Sequence, residues 1–213
     1  RQFISVAVVG FFSIYITNIL EFWGLEHISA AKTCFIYSLS PFFAALFSYI
    51  HFREKITSFK ALGFAISFLG FIPVLYLQTG SEGLMNAFSV ISWPDLAVMG
   101  AALCAVYGWV LLRIVLKKDE MAPLKVSSYS MLIGGVMALT HSFFVDSWSP
   151  TPIVAGSMGD FFKWTLLITL ISNVICYNFY GHLLKKFTAT FLSFVGLLSP
   201  IFASVNEWIL IGT

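Results

Sequence analysis

Seven stretches of this chain are long and apolar enough to cross a lipid bilayer, which leaves few folds open. They lie roughly at 3–25, 33–52, 59–78, 95–116, 126–145, 163–184 and 187–212. A spanning helix needs about 20 mostly apolar residues. Inside lipid only helices and closed barrels satisfy every backbone N–H and C=O, and runs this long are not barrel strands. The sequence therefore predicts an all-α, polytopic transmembrane helical bundle. Composition agrees: 10% of residues are charged and 59% hydrophobic, whereas about a quarter are charged in an ordinary soluble domain. A net charge of +2 without a basic run argues against a nucleic-acid partner. Cys34, Cys104 and Cys176 all lie within apolar segments and form no CxxC pair, so neither a disulfide framework nor a metal site is expected. Nothing in the chain calls for a cofactor.

Lys and Arg alternate between the two ends of these segments. One side receives Arg1, Arg53, Lys55, Lys60, Arg113, Lys117, Lys118, Lys125, Lys185 and Lys186, the other only Lys32 and Lys163. Basic loops stay on the cytoplasmic side. The expectation is an integral protein of a bacterial inner membrane with these basic loops in the cytoplasm. Trp93, Trp148 and Trp164 flank segment ends on the opposite side, where indole rings anchor at an interface.

The chain also repeats itself. Sliding it along itself until Pro41 lies on Pro200 also lays Leu39 on Leu198, Ser40 on Ser199, Phe43 on Phe202 and Ala44 on Ala203. Upstream the same shift pairs Ser13 with Ser172, Ala30 with Ala189 and Phe35 with Phe194. Segments one and two thus correspond to segments six and seven. An offset of five crossings is odd, so the copies have opposite orientations, the inverted repeat of secondary transporters. With a five-helix unit, 1–78 would hold the last three helices of one repeat and 95–213 the first four of the next. Seven helices of an inferred ten would then be present.

The run "LEHISAAKTCFIYSLSPFFAALFSYIHFREKITSFKALGFAISFLG" resembles the EamA family of the drug/metabolite transporter superfamily. The resemblance rests on the small-residue lead-in, Pro41 within the helix, Glu54 thirteen residues on, and the helix with Gly63 and Gly70 that follows. It covers nearly the whole chain. One departure is Thr213, which stands where the second copy would repeat Glu54. The resemblance implies a permease or exporter of small organic metabolites, such as amino acids or nucleotide-related compounds including S-adenosylmethionine. No Walker A pattern is present, so the energy is expected from a solute or proton gradient.

Candidate site residues follow from the cost of polar groups in lipid. A proline within a helix frees a carbonyl and kinks the chain, so Pro41 and Pro200 are candidate kink or gating points. Glu21 and Glu207 are ionisable residues within spans, costing about 2.5–3.5 kcal/mol each on insertion scales. Either is a candidate for cation or proton coupling; the plainer reading places them at the interface. Asn18 shares a side with Glu21, and Asn173, Tyr177 and Tyr180 form one polar-aromatic stripe. Gly196, Ser199, Ala203 and Glu207 share a face whose first-copy counterpart carries Tyr37, Ser40, Ala44 and Ser48. Asn18, Tyr37, Tyr107, Asn173, Tyr177 and Glu207 are the candidate substrate-binding set. The same groups also suit plain interhelical hydrogen bonding, and Gly63, Ser67 and Gly70 suit a close packing seam. The partners expected are a small-molecule substrate, lipid, a coupling proton or counter-solute, and a second copy of the chain. An H-x4-D spacing at His141 and Asp146 is reminiscent of some acyltransferases, but no nucleophile or metal cluster accompanies it, so no catalytic residue is expected.

Overall fold

A computed structural model describes residues 2–28, 30–54, 57, 58, 62, 63, 65, 66, 69, 92–118, 122–146, 156–196 and 198. Among these residues every regular element is helical. The chain runs through α1 (Gln2–Gly10), α2 (Thr17–Leu25), α3 (Ala30–Tyr37), α4 (Ser40–Phe52), α5 (Trp93–Lys118) and α6 (Pro123–Val145). It continues through α7 (Met158–Ile168), α8 (Tyr177–Lys186) and α9 (Ala189–Gly196). Among the described residues, four continuous helical runs are long and apolar enough to cross a membrane: Phe3–Leu25, Trp93–Lys117, Pro123–Val145 and Met158–Lys186. Predicted segment 59–78 and the part of 187–212 beyond residue 198 lie mostly or wholly outside the described residues.

Two of those runs are not plain α-helices. A π-helical stretch, Phe11–Ile16, joins α1 to α2, and a second, Thr169–Cys176, joins α7 to α8. The shift that lays Pro41 on Pro200 places the first stretch inside the second, so both copies of the repeated segment widen at the same point. Widening withdraws N–H donors from their usual carbonyls, and lipid supplies no replacement. Side chains take their place. Ser13 Oγ donates to the Val9 carbonyl at 2.7 Å, and Thr17 Oγ1 donates to the Phe12 carbonyl at 2.7 Å. Asn18 Nδ2 donates to the Ile14 carbonyl at 2.5 Å. In the second run Asn178 Nδ2 does the same for the Val174 carbonyl at 2.7 Å.

The second predicted segment is broken in two. After α3 the chain turns at Ser38 and Leu39, then resumes as α4 with Pro41 in its first turn. Pro41 has no N–H for the Tyr37 carbonyl. The helix restarts from Leu39, whose carbonyl accepts from the Phe42 and Phe43 amides at 2.9 and 3.3 Å. Arg53 ends α4 in the left-handed conformation, at φ 53° and ψ 32°. The Glu54 amide then folds back to the Ser48 carbonyl at 3.5 Å, which takes Glu54 off the helix axis.

Close packing fixes the first span between α5 and α6. A methyl group at Gly108 would meet Ser13 Cβ at 2.4 Å, and one at Gly134 would meet Ile14 Cβ at 2.6 Å. Small residues let the backbones approach, which is how helices associate without a hydrophobic drive. Val6, Val9, Val110, Leu112, Val126 and Leu184 fill the core around these crossings. The small face of α4 is also a packing face: Ala44 and Ser48 are fully buried, and Thr190 Oγ1 of α9 lies 3.4 Å from Ser48 Oγ.

Candidate functional site

Two of the sequence-selected residues meet where α2, α3 and α5 come together. Tyr37 Oη donates to Glu21 Oε2 at 2.9 Å, with Cys104 of α5 beside the phenol. The break at Ser38 and Leu39 sets Tyr37 as the last residue of α3, aimed across at α2. Asn18, one turn before Glu21, spends its amide on its own helix, as described above. A half-buried carboxylate held by one phenol keeps its other oxygen for a cationic group or a proton.

Tyr107 lies farther along α5 in an aromatic cluster. Its ring centre is 5.1 Å from those of both Phe12 and Phe47, and 5.6 Å from that of His51. Phe12 belongs to the π-helical stretch and Phe47 and His51 to α4, so three elements supply the rings. Such faces stack on heteroaromatic groups and attract cations.

Tyr177 belongs to a different neighbourhood. Its ring lies 5.4 Å from Trp109, and Tyr180 packs on the same indole at 3.9 Å. The Tyr177 hydroxyl faces the Ser13 and Ser130 side chains, which sets α8 against the first span and α6. Asn173, on the same predicted stripe, is exposed near the middle of the Met158–Lys186 run, in its π-helical stretch. The stripe is therefore divided: its tyrosines are packed and its asparagine stands apart. Glu207 and Pro200 lie outside the described residues. His141 faces the Tyr15 ring at 6.0 Å, and Asp146 is exposed beyond the end of α6.

Sequence reasoning missed two ion pairs. Lys32 Nζ and Asp95 Oδ2 are 2.7 Å apart, and Arg113 Nη1 and Glu54 Oε1 are 2.8 Å apart. In the sequence Lys32 and Arg113 stood only as basic charges in the connections, and Glu54 only as a feature of the family resemblance. A finer signal was available in the spacing of Asp95 and Arg113 on one apolar helix. They are about five whole turns apart at 3.6 residues per turn, and so project on one side of it. Finding their partners required knowing which run lies alongside.

These features define an all-helical polytopic membrane protein with polar and aromatic groups gathered between its helices. The profile of the EamA-like transporter family matches residues 1–76 and 92–213, and the chain belongs to that family. It is 37% identical over 98% of its length to an S-adenosylmethionine/S-adenosylhomocysteine transporter of Chlamydia trachomatis serovar L2, covering 62% of that protein. A transporter of the same description from Chlamydia muridarum is 36% identical over 98% of this chain, which covers 64% of it. An uncharacterised transporter of Bacillus subtilis is 28% identical over 94% of this chain and 63% of its own length. The chain thus spans slightly less than two thirds of these relatives. No solved structure matches it.

Proposed function

We propose that the protein is a secondary transporter of small organic metabolites working by alternating access, with S-adenosylmethionine and S-adenosylhomocysteine as the favoured substrate pair. The similarity to the two chlamydial transporters over 98% of the chain carries this reading. The chemistry at hand suits such a solute. Glu21, with Tyr37, would meet an ammonium or sulfonium centre. The Tyr107 cluster would stack on the adenine, with Asn18, Asn173, Tyr177 and Glu207 as further candidate contacts. Pro41 and Pro200 would provide the pivots of two inverted halves, 1–78 and 95–213. Glu21 or Glu207 would carry a coupling proton if the movement is not a strict exchange, and a homodimer is the proposed assembly. The membrane would be a bacterial inner membrane with the basic loops in the cytoplasm. The relatives and the family are transporters, so an enzymatic role is not proposed.

The test is uptake of labelled S-adenosylmethionine into proteoliposomes containing the protein, loaded with S-adenosylhomocysteine or left empty, with and without a proton gradient. Saturable uptake stimulated by internal S-adenosylhomocysteine supports exchange. Uptake of amino acids or nucleosides in its place would keep the transporter and reject the substrate pair. No uptake of any of them would reject the reading.

A further inference from the structure

The two ion pairs stand at opposite ends of the same two neighbours. Asp95 lies in the first turn of α5 and Arg113 near its last turn. The rise from one to the other is about 27 Å at 1.5 Å per residue, close to the hydrocarbon thickness of a bilayer, about 30 Å. The partner run alongside is the broken one: Lys32 is at the start of α3, and Glu54 follows the end of α4. Each half of the broken run thus carries one member of one pair, and the two halves meet at Ser38 and Leu39 without a continuous hydrogen-bonded ladder.

The α5 members are the more firmly seated. Asp95 and Arg113 are 7% and 6% exposed, Lys32 and Glu54 18% and 20%. Asp95 Oδ2 also accepts from the Ser92 amide and hydroxyl at 2.8 and 2.7 Å, and the Arg113 guanidinium lies 4.5 Å over the Phe52 ring. Among the described residues, Asp95 Oδ1, Glu54 Oε2 and Arg113 Nε are buried without a hydrogen-bond partner. Ion pairs satisfied in part are poor staples, because apolar residues of similar volume often hold a protein together as well or better. They do make good two-state contacts, since the less buried partner regains water when it leaves.

From this we infer that Lys32–Asp95 and Glu54–Arg113 are the latches at the two ends of the transport path, released one at a time. The inference rests on the transporter reading above. Both latches are closed in this structure. α5 is the fixed post; α3 swings at one end and α4 at the other, and the break before Pro41 uncouples them. A path with both latches released would leak, and one that released neither would not transport.

Cys104 provides a native reporter, midway between Asp95 and Arg113 and beside Tyr37. With Cys34→Ser and Cys176→Ser in place, its labelling by a membrane-impermeant maleimide is measured from each side in right-side-out and inverted vesicles. Glu54→Gln should raise labelling by about fivefold or more from the Glu54 side alone, and Lys32→Gln should do so from the Lys32 side alone, the low end of ordinary coupling between sites. The swapped pairs, Glu54→Arg with Arg113→Glu and Lys32→Asp with Asp95→Lys, should return labelling to the native level. They also stand in if a single variant does not accumulate, since a swapped pair labelled differently from native would overturn the latch. Labelling that is unchanged, or raised equally from both sides, would show structural staples and no latch. The readout needs no substrate, so a protein that moved no metabolite would remove the transport reading while leaving the latches tested.

Discussion

The two spans that carry π-helical stretches are repeat counterparts, yet they sit in opposite surroundings. In Phe3–Leu25 the most apolar window is 22% buried among the described residues, against 6% in Met158–Lys186. The first is clasped between α5 and α6 by glycine crossings. Among the described residues, the second is packed only from Tyr177 onward, where Trp109, Ser13 and Ser130 receive it. Because the same widening occurs in both settings, its cause is local: a run of hydroxyl and amide side chains able to serve carbonyls that a π turn strands. Packing then decides what the turn is used for. In the first span it presents Phe12 to Tyr107 and Ser13 to Tyr177; in the second its residues are exposed.

That contrast can be broken by substitution, beginning with the tightest crossing. Gly134→Leu should cost about 3 kcal/mol or more, because a Cβ alone would overlap Ile14, whereas Gly159→Ala in α7, with open space around it, should stay within about 0.5 kcal/mol. Thermal unfolding in detergent compares the two, and equal losses would refute the assignment of packed and open spans. Next is Arg113→Met, which strands Glu54 and should cost about 3 kcal/mol, while adding Glu54→Leu should recover most of it. If the double variant is as unstable as the single, the pair is a staple. Tyr37→Phe leaves Glu21 without its donor and should cost about 1–2 kcal/mol; a matching loss of uptake with unchanged membrane abundance would place the pair on the path. Smallest is Thr17→Val, about 1 kcal/mol from the Phe12 carbonyl left unserved. Amide hydrogen exchange across residues 11–17 would detect it as faster opening of that turn alone.

Much of the fold was legible because lipid enforces it. Four of the seven predicted segments recur as continuous helical runs within a few residues of their predicted ends, since apolar length is a direct physical requirement there. The repeat, read from residues such as Ser13 and Ser172, matched the two π-helical stretches in position. It did not reveal them, because hydrophobic periodicity is blind to one extra residue in a turn. The asparagines show the same limit. Asn18 and Asn178 do the same job, but the repeat lays Asn18 on Tyr177, one position out of register. Pro41 was expected to kink one helix. The chain goes further and starts a new one, because the turn at Ser38 and Leu39 precedes it.

The site was legible only in its ingredients. Glu21 and Tyr37 were both chosen from the sequence, but nothing in their spacing says that one would hold the other. Asn173 and Tyr177 share a side of one run, and packing separates them all the same. Lys32, Asp95 and Arg113 read simply as charges near segment ends, and Glu54 as a feature of the family resemblance. What the sequence determined by itself is what depends on near neighbours and on the solvent: helices, their apolar lengths, and the internal repeat. Which side chains meet across helices was decided by the tertiary structure, because those distances depend on where backbones can approach. Here that was set by Gly108 and Gly134, and no pattern within a single helix contains it.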